Sequence, residues 1–144
     1  MAIATGPDGQ SAAGLHVTAL KPDGKGKASI NNPRRMFGDL VSAVVQLSAF
    51  PADGVLAVGE GLETCLAYRD LTGKPTWAGL STAGLKSLAI PLGVRQLVIA
   101  ADGDEAGHEA ATALADRARK RCDVRILPAP EGEDWCDVLK GGQQ

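Results

Sequence analysis

Residues 97–107, LVIAADGDEAG, decide the fold of this 144-residue chain. The apolar run at 97–101 is typical of a strand that is buried on both faces of a sheet. The acidic turn after it opens a helical pattern that continues to about residue 121. In open α/β sheets, ligands bind outside the carboxyl ends of the strands, so we expect a site at the turn 102–104.

The same order of strand, turn and helix occurs elsewhere in the second half of the chain. Each predicted strand is a short, continuous apolar run, and each predicted helix follows a turn. The predicted strands are 55–58, 77–80, 97–101 and 124–127. The first predicted helix is 62–71, which Gly73 stops, and the last is 102–121. Between them, Ser81 and Thr82 cap a short predicted helix that runs to residue 88. This alternation predicts an α/β fold, with a mostly parallel central sheet flanked by helices on both faces.

The first 50 residues have a different pattern. Residues 15–20 alternate between apolar and polar, the sequence PDG at 22–24 marks a turn, and residues 27–30 are predicted to return as the second strand of a β-hairpin. Residues 1–14 are small and polar, and we expect them to fray. Residues 39–47 fit either a strand or a short helix. We therefore divide the chain into a β-hairpin extension at 1–50 and an α/β domain at 51–144.

Composition excludes several classes of protein. The chain is 44% hydrophobic and 22% charged, with a formal net charge of -2, which fits one globular domain. Two Phe, two Trp and one Tyr are too few for an aromatic-rich β-sandwich, and they form no evident platform for stacking bases. Three cysteines without a C-x-x-C pair suggest neither a disulfide framework nor a four-cysteine zinc site. No apolar run approaches the ~18 residues of a membrane span, so we expect a cytoplasmic protein without membrane contact.

Asp102 and Asp104 are the first candidate for chemistry. Two aspartates two positions apart on extended backbone project to the same side, where they can share one hard cation. An EF-hand loop starting at Asp102 fails, because its twelfth position is Ala113 rather than glutamate. A phosphate-transferring aspartate, or a helix start with acids in its first turn, remains open as an alternative.

Glu60 is the second candidate. It lies between Gly59 and Gly61, directly after a predicted strand and before a predicted helix. The residues disfavour a dinucleotide-binding motif, because Thr64 replaces the third glycine and the Glu60 carboxylate would repel a pyrophosphate. The glutamate could instead hold a metal or move a proton, or it could be a solvated side chain in a tight turn. Three acids at one sheet edge favour Mg²⁺ or Mn²⁺, ions that usually meet phosphate oxygens.

Four segments resemble the Toprim domain, the metal-binding domain of bacterial-type primases, type IA and type II topoisomerases and some nucleases. They are VGEGLET at 58–64, WAGLSTAGL at 77–85, LVIAADGDEAGHEAA at 97–111 and VRILPAPEGEDWCDVL at 124–139. The sequences DGDEAG and GEDWCDVL are most similar to the DNA primases and primase-helicases of phages, plasmids and other mobile elements. The resemblance implies a Toprim-type, Rossmann-like fold after the hairpin extension.

The resemblance also assigns roles to residues. It implies that Glu60 is a general acid or base and a possible metal ligand, and that Asp102 and Asp104 are metal ligands. Asp134 and Asp137 fall where primases have a further acidic pair, and residues 81–83 form a small-residue turn beside the site. Thr64 departs from the family pattern, because primases commonly have an acid there.

The implied function is Mg²⁺- or Mn²⁺-dependent nucleotidyl transfer, in which nucleoside triphosphates are joined into a primer on a single-stranded DNA template. Lys86, Arg34 and Arg35 are candidates for contacts with phosphate or nucleic acid. We expect the chain to be a piece of a longer primase or primase-helicase, to work with that protein's other domains, and to be weakly active alone. A Toprim nuclease and a non-catalytic metal- or nucleic-acid-binding module are the alternatives.

Overall fold

A computed structural model describes residues 1–6 and 10–142 of the chain. The elements are β1 (Ala2–Thr5), β2 (Ala12–Thr18), β3 (Arg34–Gly38), β4 (Val45–Gln46), β5 (Val55–Gly59), α1 (Leu62–Thr72), β6 (Thr76–Ala78), α2 (Thr82–Ser87), β7 (Gln96–Ala101), α3 (Glu105–Ala118), β8 (Asp123–Pro128) and α4 (Trp135–Gly141). They build an α/β fold with two sheets. Among the described helices, none has the length and apolar character needed to cross a membrane.

The larger sheet has the strand order β4-β6-β5-β7-β8. Strands β5, β6, β7 and β8 run parallel, and β4 is antiparallel at one edge. Strand β7, the apolar run from which the fold was predicted, lies between β5 and β8, and Leu97 and Ile99 are completely buried. A continuous apolar run suits such a strand because both of its faces are covered. The predicted mostly parallel sheet is therefore confirmed.

Helices cover both faces of this sheet, as predicted. On one face, Leu85 and Leu88 near α2 and Leu114 of α3 pack in the main core with the strands. On the other face, Tyr68 of α1 packs with Ala57 and Val98, and Trp135 of α4 joins this cluster. The buried face of α3 consists largely of alanine, which lets the helix lie close to the sheet. The core is thus built mainly from Ala, Val, Leu and Ile, in agreement with the low aromatic content of the sequence.

The helix ends agree with the sequence in two cases and differ in two. Helix α1 stops at Gly73, whose positive φ of 67° favours glycine. Helix α2 begins after Ser81, whose hydroxyl accepts a hydrogen bond from the Gly84 amide. Helix α3 ends at Ala118, a few residues before the predicted end. Helix α4 was not predicted, because only seven residues form it and their apolar pattern is too short to show a period.

The N-terminal sheet differs from the predicted hairpin. The turn at residues 22–24 is present, but residues 27–30 do not form a strand, and only a Leu20–Lys27 bridge continues the pairing. Strand β2 pairs instead with β3 on one side and β1 on the other, both antiparallel. The return strand fails because Gly24 and Gly26 curl the chain with positive φ and Asn31-Asn32-Pro33 interrupts it.

The expectation that residues 1–14 fray is wrong for β1 and β2. Ala4 of β1 is completely buried and packs with Ala43 and Val45, so this pairing is supported by a core. Residues 7–9 of the expected frayed segment lie outside the described residues. The ambiguous segment 39–47 contributes β4, which is a strand rather than a helix. The boundary after residue 50 stays a prediction, and β4, on its N-terminal side, joins the central sheet.

Candidate metal centre

The predicted acids follow two neighbouring strands. Glu60 comes directly after β5 and Asp102 directly after β7, and these strands pair in parallel with Gly59 opposite Ala100. Because the strands are parallel, their carboxyl ends meet at one edge of the sheet. Gly59 allows this close approach, since a Cβ there would lie 2.8 Å from Cys65 Sγ and 3.0 Å from the Ala100 carbonyl oxygen.

Glu60 is half-buried and is held by the segment that follows β6. The Thr82 hydroxyl donates a hydrogen bond of 2.9 Å to Glu60 Oε2. The Leu80 amide donates to the Glu60 carbonyl oxygen at 2.8 Å. The predicted small-residue turn at 81–83 therefore does lie beside the site. The hydrogen-bonding role of Thr82 was not predicted, and a hydroxyl after a neighbouring parallel strand is the sequence signal that could have indicated it.

Asp104 is exposed and is the N-cap of α3. Its Oδ1 accepts a hydrogen bond of 2.6 Å from the Gly107 amide. Gly107 is required here, because a Cβ would lie 2.7 Å from the Asp102 carbonyl oxygen. The alternative of an acidic helix start is thus correct for Asp104, and it is compatible with metal binding because one carboxylate oxygen remains outside this hydrogen bond.

Asp102 has the least compensated charge of the site. Its Oδ1 is buried and has no hydrogen-bond partner in the described part of the chain. Burial, followed by the negative charges of Glu60, Asp134 and Asp104, raises the pKa of Asp102 to about 6. A hydrogen bond with the Thr64 hydroxyl opposes this rise. The three neighbouring carboxylates thus lie near enough to disfavour the ionisation of Asp102.

The loop after β8 brings Asp134 to this group. Gly103 donates its amide to the Glu133 carbonyl oxygen at 2.8 Å and accepts from the Gly132 amide at 2.9 Å. A Cβ on Gly103 would overlap the Pro130 carbonyl oxygen, so only glycine fits beneath this loop. Gly103, between the two aspartates, therefore allows the 130–133 loop to pack closely against the backbone of the candidate site. This contact between residues 103 and 130–133 was not predicted, because no local pattern indicates it.

The further acidic pair begins α4. The Asp137 amide donates to Asp134 Oδ1 at 3.0 Å, and the Asp134 amide lies 3.4 Å from Asp137 Oδ2 in a reciprocal capping box. Lys140 donates to Asp137 Oδ1 at 3.1 Å. Both acids therefore cap α4, and the negative charge of Asp134 also contributes to the raised pKa of Asp102. The structure thus brings Asp134 into the electrostatic surroundings of the candidate centre, whereas Asp137 pairs with Lys140.

A divalent cation fits this group of residues in its chemistry. In the arrangement described for residues 1–6 and 10–142, no three His, Cys, Asp or Glu side chains converge closely enough to hold a metal. Glu60 and Asp104 have hydrogen-bond partners, and Asp102 Oδ1 has none. A buried carboxylate oxygen without a partner, surrounded by other carboxylates, is what a hard cation would compensate. Asp102, with Glu60 and Asp104, is the group that would hold it.

The predicted phosphate contacts divide into paired and unpaired cations. Lys86 forms an ion pair with Glu109 at 3.2 Å, and Arg34 forms one with Glu63 at 3.3 Å. The second pair links the N-terminal sheet to the first turn of α1. Arg35 is exposed, and its guanidinium has no hydrogen bond or ion pair to any described residue.

Comparison with protein families shows which family contains this arrangement of strands, helices and acidic residues. The model of the Toprim domain matches residues 55–143, more than half of the chain. The chain belongs to the Toprim domain family. The matched residues contain both candidate strand ends, α1 to α4 and the loop over Gly103. Among curated proteins, the comparison finds no match for this Toprim chain.

Solved structures show the same fold. The DnaG catalytic core superposes with a TM-score of 0.61 at 16% identity, over 92% of this chain and 50% of that chain. A DNA primase domain from Pseudomonas aeruginosa gives 0.58 at 16% identity, over 92% and 48%. The RNA polymerase domain of Mycobacterium tuberculosis primase DnaG, in complex with double-stranded DNA, gives 0.59 at 21% identity, over 94% and 47%. The Toprim chain spans about half the length of these structures.

Proposed function

We propose that this Toprim domain is the Mg²⁺- or Mn²⁺-dependent nucleotidyl-transfer centre of a DNA primase-like protein. Its substrates would be nucleoside triphosphates and a single-stranded DNA template, and it would act with the other domains of a longer chain. The observation that carries the proposal is the buried Asp102 Oδ1, which has no hydrogen-bond partner among the described residues and lies near Glu60, Asp104 and Asp134 at the carboxyl ends of the parallel strands. The DnaG-like fold and the family membership support the choice of reaction class.

The residues have distinct proposed roles. Asp102, Asp104 and Glu60 would hold the cation, which when bound would neutralise phosphate oxygens and the charge that develops on them. Glu60, oriented by Thr82, accepts the proton of the primer 3′-hydroxyl. The 3′-oxygen then forms a bond to the α-phosphorus, and the bond from that phosphorus to the pyrophosphate oxygen breaks. The loop over Gly103 keeps Asp102 and Asp134 in place during the reaction.

The first experiment tests metal binding. Mn²⁺ broadens the NMR signals of nearby amides, so titration of the isotope-labelled protein should broaden the amides around residues 60, 102 and 104 first. The Asp102→Asn variant should show this broadening only at much higher Mn²⁺ concentration. Asp123→Asn is the matched control, because Asp123 is the first residue of β8 and lies at the amino ends of the parallel strands, away from the candidate site at their carboxyl ends. Broadening that spares the three predicted ligands would show that the site assignment is wrong.

The second experiment tests the reaction. Labelled ribonucleotides, Mg²⁺ and a single-stranded DNA template are incubated with the parent protein, Asp102→Asn, Asp104→Asn and Asp123→Asn. Primer synthesis that is lost in the first two variants and retained in the Asp123 control supports the proposal. Template cleavage with the same dependence on Asp102 and Asp104 indicates a nuclease. Metal and strand binding without synthesis or cleavage, both by this chain and by the longer protein that contains it, indicates a non-catalytic module.

A further inference from the structure

One face of the N-terminal sheet carries exposed side chains on both of its edge strands, Ile3 on β1 and Phe37 and Arg35 on β3, with the half-buried Leu15 and Val17 of β2 between them. The register pairs Ile3 with Leu15, Leu15 with Phe37, and Val17 with Arg35. Residues opposite each other in antiparallel strands share a face, and alternate residues along a strand do as well. These five residues therefore form one outer face, which we call the β1–β3 outer face. The opposite face carries His16 and Arg34 and packs toward the Toprim core.

The outer face combines an exposed aromatic ring with a free cation. Phe37 is 52% exposed and Ile3 is 58% exposed, although the sheet that carries them is anchored through Ala4 in the core. Arg35 lies two residues from Phe37 on the same strand, about 7 Å along it. Arg35 has no partner among the described residues, unlike Lys86 and Arg34. The β1–β3 outer face thus carries an exposed aromatic ring, neighbouring aliphatic side chains and one positive charge without an ion-pair partner.

This combination fits a single nucleic-acid strand. Bases stack on exposed aromatic rings of sheets, and arginine contacts the backbone phosphates, with little dependence on base sequence. A second copy of the chain fits less well. A two-fold pairing centred on Phe37 would bring both Arg35 guanidinium groups into the interface without a counter-charge, which costs free energy. A phosphate supplies that counter-charge.

We propose that the β1–β3 outer face binds single-stranded DNA, with a base stacked on Phe37 and the adjacent phosphate on Arg35. The inference rests on the proposed function for its choice of a single-stranded template as the occupant. It assigns the template a surface on the sheet face that points away from the Toprim core. The ring was not recognisable as a platform in the sequence, because exposure of Phe37 depends on which strand pairs with β2.

The test is the anisotropy of a fluorescein-labelled oligothymidylate of about 12 nucleotides, within the usual site size of such surfaces. EDTA is present and nucleotides are absent, so neither the metal centre nor catalysis affects the result. Phe37→Leu keeps an apolar side chain and removes the ring, while Phe37→Tyr keeps the ring. Met36→Ala is the control, because Met36 is a similarly exposed residue of β3 on the opposite face.

We expect Phe37→Leu to weaken strand binding by about 5- to 150-fold, the range for loss of one base–aromatic stack. Phe37→Tyr and Met36→Ala should bind like the parent. Arg35→Ala should reduce the slope of log affinity against log salt concentration by about 0.7, as expected for one lost phosphate contact. Circular dichroism checks that each variant is folded.

Two results overturn the inference. One is equal strand binding by the parent and Phe37→Leu. The other is a parent dimer in sedimentation that Phe37→Leu dissociates while strand binding stays unchanged, which would assign the face to self-association. Failure of the proposed function is a separate outcome, because strand binding that depends on Phe37 without any primer synthesis rejects the reaction and keeps the binding surface.

Discussion

Replacing Asp102 by asparagine is expected to stabilise the metal-free protein at neutral and alkaline pH. The Asp102 carboxyl is partly buried among other carboxylates, and its pKa is raised from 3.8 to about 6. A raised pKa means that the folded state binds this proton more tightly than the unfolded state does. Ionised Asp102 therefore lowers the free energy of unfolding above pH 6, and this cost disappears as the pH falls toward 4.

The size of the effect follows from the same values. A rise from 3.8 to about 6 corresponds to about 3 kcal/mol for a fully shielded group. Asp102 is partly exposed, so solvent screening reduces the expected gain to about 1 to 1.5 kcal/mol. Asparagine has nearly the same volume and removes the charge, so repacking adds little to this figure.

Urea unfolding in EDTA at about pH 8 and about pH 4, followed by circular dichroism, measures the gain. We expect Asp102→Asn to be more stable than the parent at the higher pH and close to it at the lower pH. Asp123→Asn serves as the control for removing an exposed carboxylate from the same sheet. A gain of the same size at both pH values, or a loss at the higher pH, refutes the argument that Asp102 carries an uncompensated charge.

Two further predictions concern the loops that hold the site. Asp104→Ala should lower the free energy of unfolding by about 1 kcal/mol through loss of the α3 N-cap, whereas Asp104→Asn should keep the cap and lose affinity for Mg²⁺. Urea unfolding and an Mg²⁺ titration of both variants separate the two roles, and equal unfolding free energies would argue against the cap. Gly103→Ala should cost about 2 to 3 kcal/mol, because its Cβ overlaps the Pro130 carbonyl oxygen. Gly141→Ala, in helix α4 after this loop, is the control, because an added Cβ there meets no atom within 4 Å and Gly141 has no positive φ; a similar cost for both variants would contradict the overlap.

The central sheet was predictable because its signals are local. Each strand of the βα units is an apolar run followed by a turn and a helical pattern, so Val55–Gly59 and Gln96–Ala101 are recognisable without knowledge of their neighbours. The stop at Gly73 and the cap at Ser81 are equally local, because each satisfies backbone groups of its own helix. Parallel pairing then follows from the alternation of strands and helices.

The N-terminal sheet was predicted less well because its pairing is not local. Residues 27–30 are adjacent to β2 in sequence, yet Arg34–Gly38 takes the place beside it. Which segment pairs with β2 depends on the positive φ values of Gly24 and Gly26 and on the burial of Ala4 against Ala43. The burial of Ala4 depends in turn on segments that are distant in the sequence. Helix α4 is too short for a periodic signal and depends on Trp135 packing against Tyr68.

The sequence by itself determined the α/β class, the order of strands and helices along residues 55–128, and the positions of Glu60, Asp102 and Asp104 after strands. These features depend on local periodicity and turn residues. Only the tertiary structure decided that the charge of Asp134 acts on Asp102, that Thr82 donates a hydrogen bond to Glu60 and that Gly103 fits beneath the 130–133 loop. It also decided that Phe37 is exposed beside a free Arg35. Contacts between segments distant in the chain set the desolvation and charge around each side chain, and no local pattern carries that information.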